Sequence, residues 1–285
     1  MNNSSSTAAG AGTIEIGGDL RVNRLGYGAM RITGKGIIGD PPDREVAKAV
    51  LRRAVALGVN FIDTADSYGP EVSENLVAEA LYPYPEDLVI ATKGGLLRPG
   101  RNQWTPDGRP EHLREACEGS MRRLKVETIA LYQFHRPDPK VPIEESIGEI
   151  LRMKEEGMVR HVGVCNVTED ELRRARSVAP VVSVQNRYNV SDRTSEAMLD
   201  LCEKEHLAFL PWAPILDRQG HGAVQEIAAA HGATSTQVML AWLLARSPVV
   251  LPIPGTGSLA HLDENVAAAG LKLDPSEIEV LTGPS

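Results

Sequence analysis

Asn60-Phe61-Ile62-Asp63, then Ser73-Glu74-Asn75-Leu76-Val77-Ala78-Glu79-Ala80-Leu81, then Leu88-Val89-Ile90-Ala91-Thr92-Lys93 read as strand, helix and strand. The outer runs are short, apolar and ended by a charged residue, as in strands buried on both faces, whereas the middle run repeats its apolar residues at helical spacing. The same unit recurs in both directions. Upstream, residues 24–29 precede a helical pattern at 44–57; downstream, 88–93 precedes 110–124, 128–135 precedes 143–156, 162–165 precedes 168–177 and 181–185 precedes 194–206. Residues 207–212 then lead into helical patterns at 223–231 and 235–244, and 249–253 leads into 259–269, which makes eight strands.

Right-handed β-α-β units build an open doubly wound sheet or a closed barrel, and eight regular repeats favour the closed (β/α)8 TIM barrel of the α/β class. Helix ends agree with this parsing. Thr168 with Glu171 makes a capping box, and Gly157 and Gly232 fall where helices should stop. Two β-rich pieces at 13–16 and 20–22, joined by Gly17-Gly18-Asp19, predict an N-terminal β-hairpin, and Asp274-Pro275 opens a short C-terminal helical extension at 276–281. Residues 1–12, rich in Ser, Ala, Asn and Gly, read as a disordered tail; no linker divides 13–285, which is expected to be one barrel domain.

The chain has 285 residues and a formal charge of −8, without the basic excess that binding to a nucleic acid backbone requires. Its three cysteines, Cys117, Cys165 and Cys202, form no C-x-x-C pair, and the chain opens with neither a basic segment nor an apolar core of a leader, so reduced thiols in a cytoplasmic protein are expected. The apolar run at 238–245 ends at Arg246, too short for a membrane span.

In a barrel, reactive groups sit at the C-terminal ends of strands. Three successive strands end in Asp63, Lys93 and His135, so these side chains should share one mouth, with Tyr68 in the loop after the second strand. An apolar mouth would drive Lys93 to pair with Asp63, and the cation would lower the pKa of the Tyr68 phenol beside it. Such a tyrosine can give its proton to a carbonyl oxygen as hydride reaches the carbon, with His135 orienting that oxygen. Singly, the residues also fit a structural ion pair, a core histidine and a loop aromatic. It is their coincidence at one rim that points to carbonyl reduction.

After the eighth strand, Pro254-Gly255-Thr256-Gly257-Ser258 opens a helix, where barrels frequently bind phosphate through free backbone N–H groups. The string Gly255-x-Gly257-x-x-Ala260 lacks the following strand and acidic residue of a Rossmann fingerprint, and a plain Gly-rich connection is its other reading. No H-x-H, H-E-x-x-H or G-x-S-x-G is present, so no metal site is expected. Asp66 and Glu74 end no predicted strand and read as solvated loop or helix-start charges.

Gly58-Val59-Asn60-Phe61-Ile62-Asp63-Thr64-Ala65-Asp66-Ser67-Tyr68-Gly69 resembles the first signature of the aldo-keto reductases, Gly157 to Asn166 resembles their fifth-strand signature, and Ile253 to Asn265 their cofactor-clamping segment. The resemblance covers nearly everything after residue 12. It implies a catalytic tetrad of Asp63, Tyr68, Lys93 and His135 with Tyr68 as general acid. It further implies that Asn166 and Gln185 hold the nicotinamide carboxamide, that Trp212 stacks on the nicotinamide ring, and that Glu264 and Asn265 bind adenine. The implied cofactor is NADPH, with NADH as the alternative.

This chain departs from the family at Cys165, where Ser is common, and at Gly255 and His261, where many members place Lys and Arg against the 2′-phosphate. Backbone N–H groups, Thr256, Ser258 and His261 are left to hold that phosphate. The segment at 213–222 is shorter than in many relatives, which implies an open pocket. Residues 22–30, 81–95 and 185–193 look most similar to bacterial pyridoxal reductases, implying an aromatic aldehyde chosen by Met30, Arg31, Trp104 and Tyr188. The expected function is thus NADPH-dependent reduction of a small-molecule carbonyl by a monomer or weak homo-oligomer. Two alternatives stand: a biosynthetic ketoreductase of a larger sugar or polyketide-like substrate, and a non-catalytic NADPH-binding regulatory subunit.

Overall fold

The computed structural model describes residues 7–101, 103–215 and 222–283. Strands β1 (Thr13–Ile16) and β2 (Leu20–Asn23) form the expected antiparallel hairpin. The sheet strands are β3 (Tyr27–Gly28), β4 (Phe61–Asp63), β5 (Val89–Gly94), β8 (Ile129–Phe134), β9 (Val159–Cys165), β10 (Val181–Gln185) and β11 (Ala208–Phe209), with β6 (Leu96–Gly100) and β7 (Gln103–Pro106) as a separate hairpin. The helices are α1 (Arg44–Ala56), α2 (Val72–Leu81), α3 (Pro110–Leu124), α4 (Ile143–Glu155), α5 (Glu169–Val178), α6 (Glu196–Lys204), α7 (Gly222–His231), α8 (Ser235–Arg246), α9 (Leu259–Ala267) and α10 (Pro275–Thr282).

The sheet runs β3-β4-β5-β8-β9-β10-β11, every neighbour parallel. Its closing strand, expected at 249–253, makes only a single bridge, Val250 to Phe209. The backbone nevertheless joins both edges. Phe209 donates to the Val249 carbonyl and receives from the Leu251 N–H, while Gly26 and Gly28 on the other edge donate to the carbonyls of Pro252 and Pro254. Two prolines have no N–H to return, so the ladder cannot be regular there even though the (β/α)8 barrel closes.

A period of two explains why polar groups gather at one end. Phe61 and Asp63, Val89, Ala91 and Lys93, and Leu131 and Gln133 each share a face of their strands. Register sets Asp63 beside Ala91, Ala91 beside Leu131, and Lys93 beside Gln133. Phe61, Val89, Ala91, Leu131, Leu210 and Leu251 fill the interior, and Ile16, Leu20 and Val22 of the first hairpin pack into the same cluster. The alternate residues Ile62 and Ile90 point outward into the layer under α1 and α2. Gly163 on β9 is required by close approach: a Cβ there would lie 2.9 Å from Gln133 Cγ and 2.4 Å from Ser183 Oγ.

Two features differ from the sequence reading. Residues 8–11, assigned to a disordered tail, form a 3₁₀ turn in which Ala8 is fully buried and donates its N–H to the Leu57 carbonyl, while the Gly12 carbonyl receives Arg24 N–H. Small residues are what that tight packing needs, and their composition alone mimics disorder. The β6–β7 hairpin lies between the strand at 88–93 and the helix at 110–124, where no strand is expected because Pro99 and Pro106 mask its short alternation. Residues 216–221, most of the short segment at 213–222, lie outside the described residues. Among the described residues no helix is long and apolar enough to cross a membrane.

Candidate active site

Asp63, Lys93 and His135 meet Tyr68 as the strand ends demand. Lys93, fully buried, donates to Asp63 Oδ2 at 2.6 Å, to the Thr64 carbonyl at 2.9 Å and to Tyr68 Oη at 3.3 Å. The Asp63 pairing, supported by Tyr68, outweighs burial and raises Lys93 well above its ordinary value, so it is a permanent cation. The phenol does not follow expectation. Burial pushes Tyr68 up to about 12; Lys93 opposes that rise and only limits it. His135 stands edge-on to Tyr68, with ring centroids 5.8 Å apart. Burial, then Lys93 and Arg136, hold its imidazole well below the usual histidine range, so it is neutral. Its Nδ1 lies 3.3 Å from Ser67 Oγ.

Beneath this quartet is a polar layer that sequence reasoning only half saw. Gln133 and Gln185 both donate to Asp63 Oδ1, at 3.0 and 2.9 Å, and Gln185 also donates to Gln133 Oε1. Cys165 Sγ lies 3.8 Å from the same Oε1, and burial raises its thiol above the ordinary range. Gln133 was legible as an inward residue two before His135, but a neutral amide between two aromatics carries no chemical signal of its own.

Asn166 turns at the rim with φ of 58°, its Nδ2 donating to the His135 carbonyl and its Oδ1 receiving Trp212 Nε1. A left-handed asparagine held from two sides is the kind of strain that persists at binding sites. Trp104 on β7 faces His135 at 6.4 Å, and Arg98 stacks on its indole at 3.8 Å while donating to the carbonyls of Gly36, Ile37 and Gln103. Met30 is half-buried, and its carbonyl receives Thr33 Oγ1. Tyr188, read as a pocket residue, is instead core: its ring stacks on Trp242 and its hydroxyl donates to Glu196.

Asp66 and Glu74 are likewise not solvated charges. Glu74 is fully buried, receiving Thr92 Oγ1 and Arg123 Nε. Asp66 is half-buried with Oδ1 inaccessible and unpartnered among the described residues, and burial next to Glu74 raises it to about 8. Helical spacing turns Glu74 inward from α2, while Asp66 is carried beside it by the turn after β4, and position in the sequence alone could not reveal either. Because the folded value exceeds the unfolded one, the stability this group contributes is full below about pH 4 and lost as pH rises through 8. Asp66→Asn, fixed in the neutral form, is therefore expected to flatten that decline and gain about 1 kcal/mol at pH 8.5 in urea unfolding; an unchanged slope between pH 5 and 8.5 would contradict it.

At the other side of the mouth, Gly28 abuts Gly255 so closely that a Cβ on Gly255 would sit 2.5 Å from the Gly28 carbonyl oxygen. Tyr27 Oη donates to the Thr256 carbonyl, Ser258 N–H to Thr256 Oγ1, and Ser258 Oγ caps α9 at His261 N–H. The N–H groups of Gly255, Thr256 and Gly257 find no acceptor among the described residues. Asn265 is buried with Nδ2 likewise unpartnered, whereas Glu264 receives Thr234 Oγ1. His261 is exposed. Three free amides at a helix start and an orphan buried amide are donors waiting for acceptors, and a dinucleotide supplies both phosphate and ring nitrogens.

The model of the Aldo/keto reductase family matches residues 24–220 and 216–283. The chain belongs to this family. It is accordingly an NAD(P)H-dependent oxidoreductase. An uncharacterised oxidoreductase of Schizosaccharomyces pombe is 51% identical over 273 residues, 93% of this chain and 87% of that protein. The pyridoxine 4-dehydrogenase of Escherichia coli is 42% identical over 277 residues, 94% and 96% of the two chains. An aldo-keto reductase from Klebsiella pneumoniae, solved in complex with NADPH, superposes with a TM-score of 0.80 at 26% identity, covering 94% of this chain and 93% of that one.

Proposed function

We propose that this aldo/keto reductase is a cytoplasmic NADPH-dependent carbonyl reductase acting on an aromatic aldehyde of the pyridoxal type, with Tyr68 as general acid. The observation that carries the reading is the buried chain Asp63–Lys93–Tyr68, with the neutral imidazole of His135 beside the phenol. The reduced nicotinamide, when bound, supplies the hydride. The residues that fit it are the free amides of Gly255 to Gly257 for phosphate, Asn265 for adenine, and Asn166 with Trp212 at the rim for the nicotinamide end. Gln185, which the resemblance gave to the carboxamide, already donates to Asp63 and has its carbonyl oxygen to offer.

Tyr68 gives its proton to the carbonyl oxygen as charge builds there, and Lys93 stabilises the phenolate left behind. His135, neutral, donates a hydrogen bond to that oxygen without adding a cation that would compete for the proton. The relationship to a pyridoxine 4-dehydrogenase supports the substrate class, since oxidising that alcohol and reducing the aldehyde are one hydride transfer run in opposite directions. The three buried, unbridged thiols support a reducing compartment.

Following reduced-nicotinamide absorbance with NADPH or NADH against a panel that includes pyridoxal tests this reading; cofactor binding without turnover on any carbonyl would instead favour the regulatory-subunit alternative. The pH profile adds a sharper check. With Tyr68 near 12 and His135 neutral, reduction should stay level from pH 6 to 10, while alcohol oxidation, which needs the phenolate, should climb through the same range. A reductive rate that falls away near pH 7 would point to another acid.

A further inference from the structure

Arg98 on β6 is a buried charge that the catalytic quartet does not use. It is 7% exposed, yet among the described residues it joins no ion pair and its Nε finds no acceptor. Its other nitrogens bond backbone carbonyls: Gln103 on its own hairpin, and Gly36 and Ile37 on the turn at 34–39. Along β6, Leu96 and Arg98 are buried while Leu97 and Pro99 are exposed; along β7, Trp104 and Pro106 are the more covered residues. The period of two therefore sets guanidinium and indole on one face of the hairpin, 3.8 Å apart, and the indole centroid lies 6.4 Å from that of His135.

The 34–39 turn, at the other end of this contact, also reaches the reacting groups. Gly39 N–H donates to the carbonyl of Gly69, the residue after Tyr68, and Ile38 pairs with Gly69 in a single parallel bridge. The 3₁₀ turn at 29–32, which carries Met30 and Arg31, runs directly into this segment. The segment is not relaxed: Ile37 has φ of 62°, a left-handed conformation that a β-branched residue rarely adopts. Such backbone persists only where its surroundings over-determine it, and Arg98 grips the carbonyls at 36 and 37. A lysine could not repeat this, because its point charge has neither a fork for several carbonyls nor a flat face for an indole.

We propose that Arg98 is a positioning residue for the substrate: it clasps the β6–β7 hairpin to the 34–39 turn and sets Trp104 as the aromatic wall against which a planar aldehyde stacks. This rests on the aromatic-aldehyde reading above. Arg98 acts through Trp104 and touches no reacting atom, so its loss should weaken capture of an aromatic aldehyde and leave the hydride step nearly intact.

Steady-state reduction of pyridoxal and of propionaldehyde by the purified protein, with saturating NADPH, tests the proposal. Arg98→Ala should raise KM for pyridoxal about tenfold with kcat within about threefold, and shift KM for propionaldehyde by less than about threefold. Arg98→Lys, which keeps the charge, should recover the melting midpoint more fully than KM. The double variant is decisive: Arg98→Ala with Trp104→Ala should be no worse on pyridoxal than Trp104→Ala alone, since both changes remove one contact. Additive losses, equal losses on the two aldehydes, or an Arg98→Ala protein with wild-type KM for pyridoxal would overturn the proposal while leaving the aromatic-aldehyde reading intact. Wild-type protein that reduces propionaldehyde and not pyridoxal would overturn both.

Discussion

Replacing Tyr68 by Phe is expected to lower kcat for carbonyl reduction by about 10²- to 10⁴-fold while leaving NADPH affinity within about threefold. The ring fills the same space and keeps its edge contact with His135. What disappears is one hydroxyl, 3.3 Å from Lys93, and with it the proton. Neither neighbour can substitute. His135, held neutral, could offer its proton only by becoming an anion, and Lys93 is engaged with Asp63 and Thr64 and held protonated by them. Single-turnover measurement with saturating NADPH isolates the chemical step from product release, so residual reduction within tenfold of wild type would mean that the acid lies elsewhere.

What could be read beforehand follows the strength of local rules. Strand ends were legible because Asp63 and Lys93 each terminate an apolar run, and the period of two fixes which way they point. The barrel was legible from repetition. Tertiary burial was not: Glu74 and Asp66 carry charges that by composition belong in solvent, yet Arg123 reaches from α3 to neutralise Glu74 inside the wall, a pairing across 49 residues that no local pattern records. Tyr188 lies just past β10, and its ring packs on Phe209 and Trp242, tertiary contacts that its place between elements does not reveal. The phenol's pKa failed for the same reason, since the sequence places the cation beside Tyr68 but says nothing about the desolvation that outweighs it.

The same burial makes Lys93 a larger stability determinant than any exposed ion pair on this surface. Lys93→Met should cost about 3–5 kcal/mol in urea unfolding at pH 7, because Asp63 would keep its amide donors from Gln133 and Gln185 but lose the cation that, among the described residues, alone is bonded to it. The cost measures a stranded charge more than the net worth of the pair. Combining Lys93→Met with Asp63→Asn should therefore recover a good part of the loss, since two neutral groups of similar shape leave no charge to desolvate. The pH dependence separates this from simple loss of packing. Lys93 is raised above the ordinary lysine value of 10.5, so the stability it contributes is complete below that pH and declines only as pH climbs through the folded value. The deficit of Lys93→Met should accordingly be constant from pH 6 to 10. A double variant no more stable than Lys93→Met alone would show that the methionine fails to pack and that charge is not the cause.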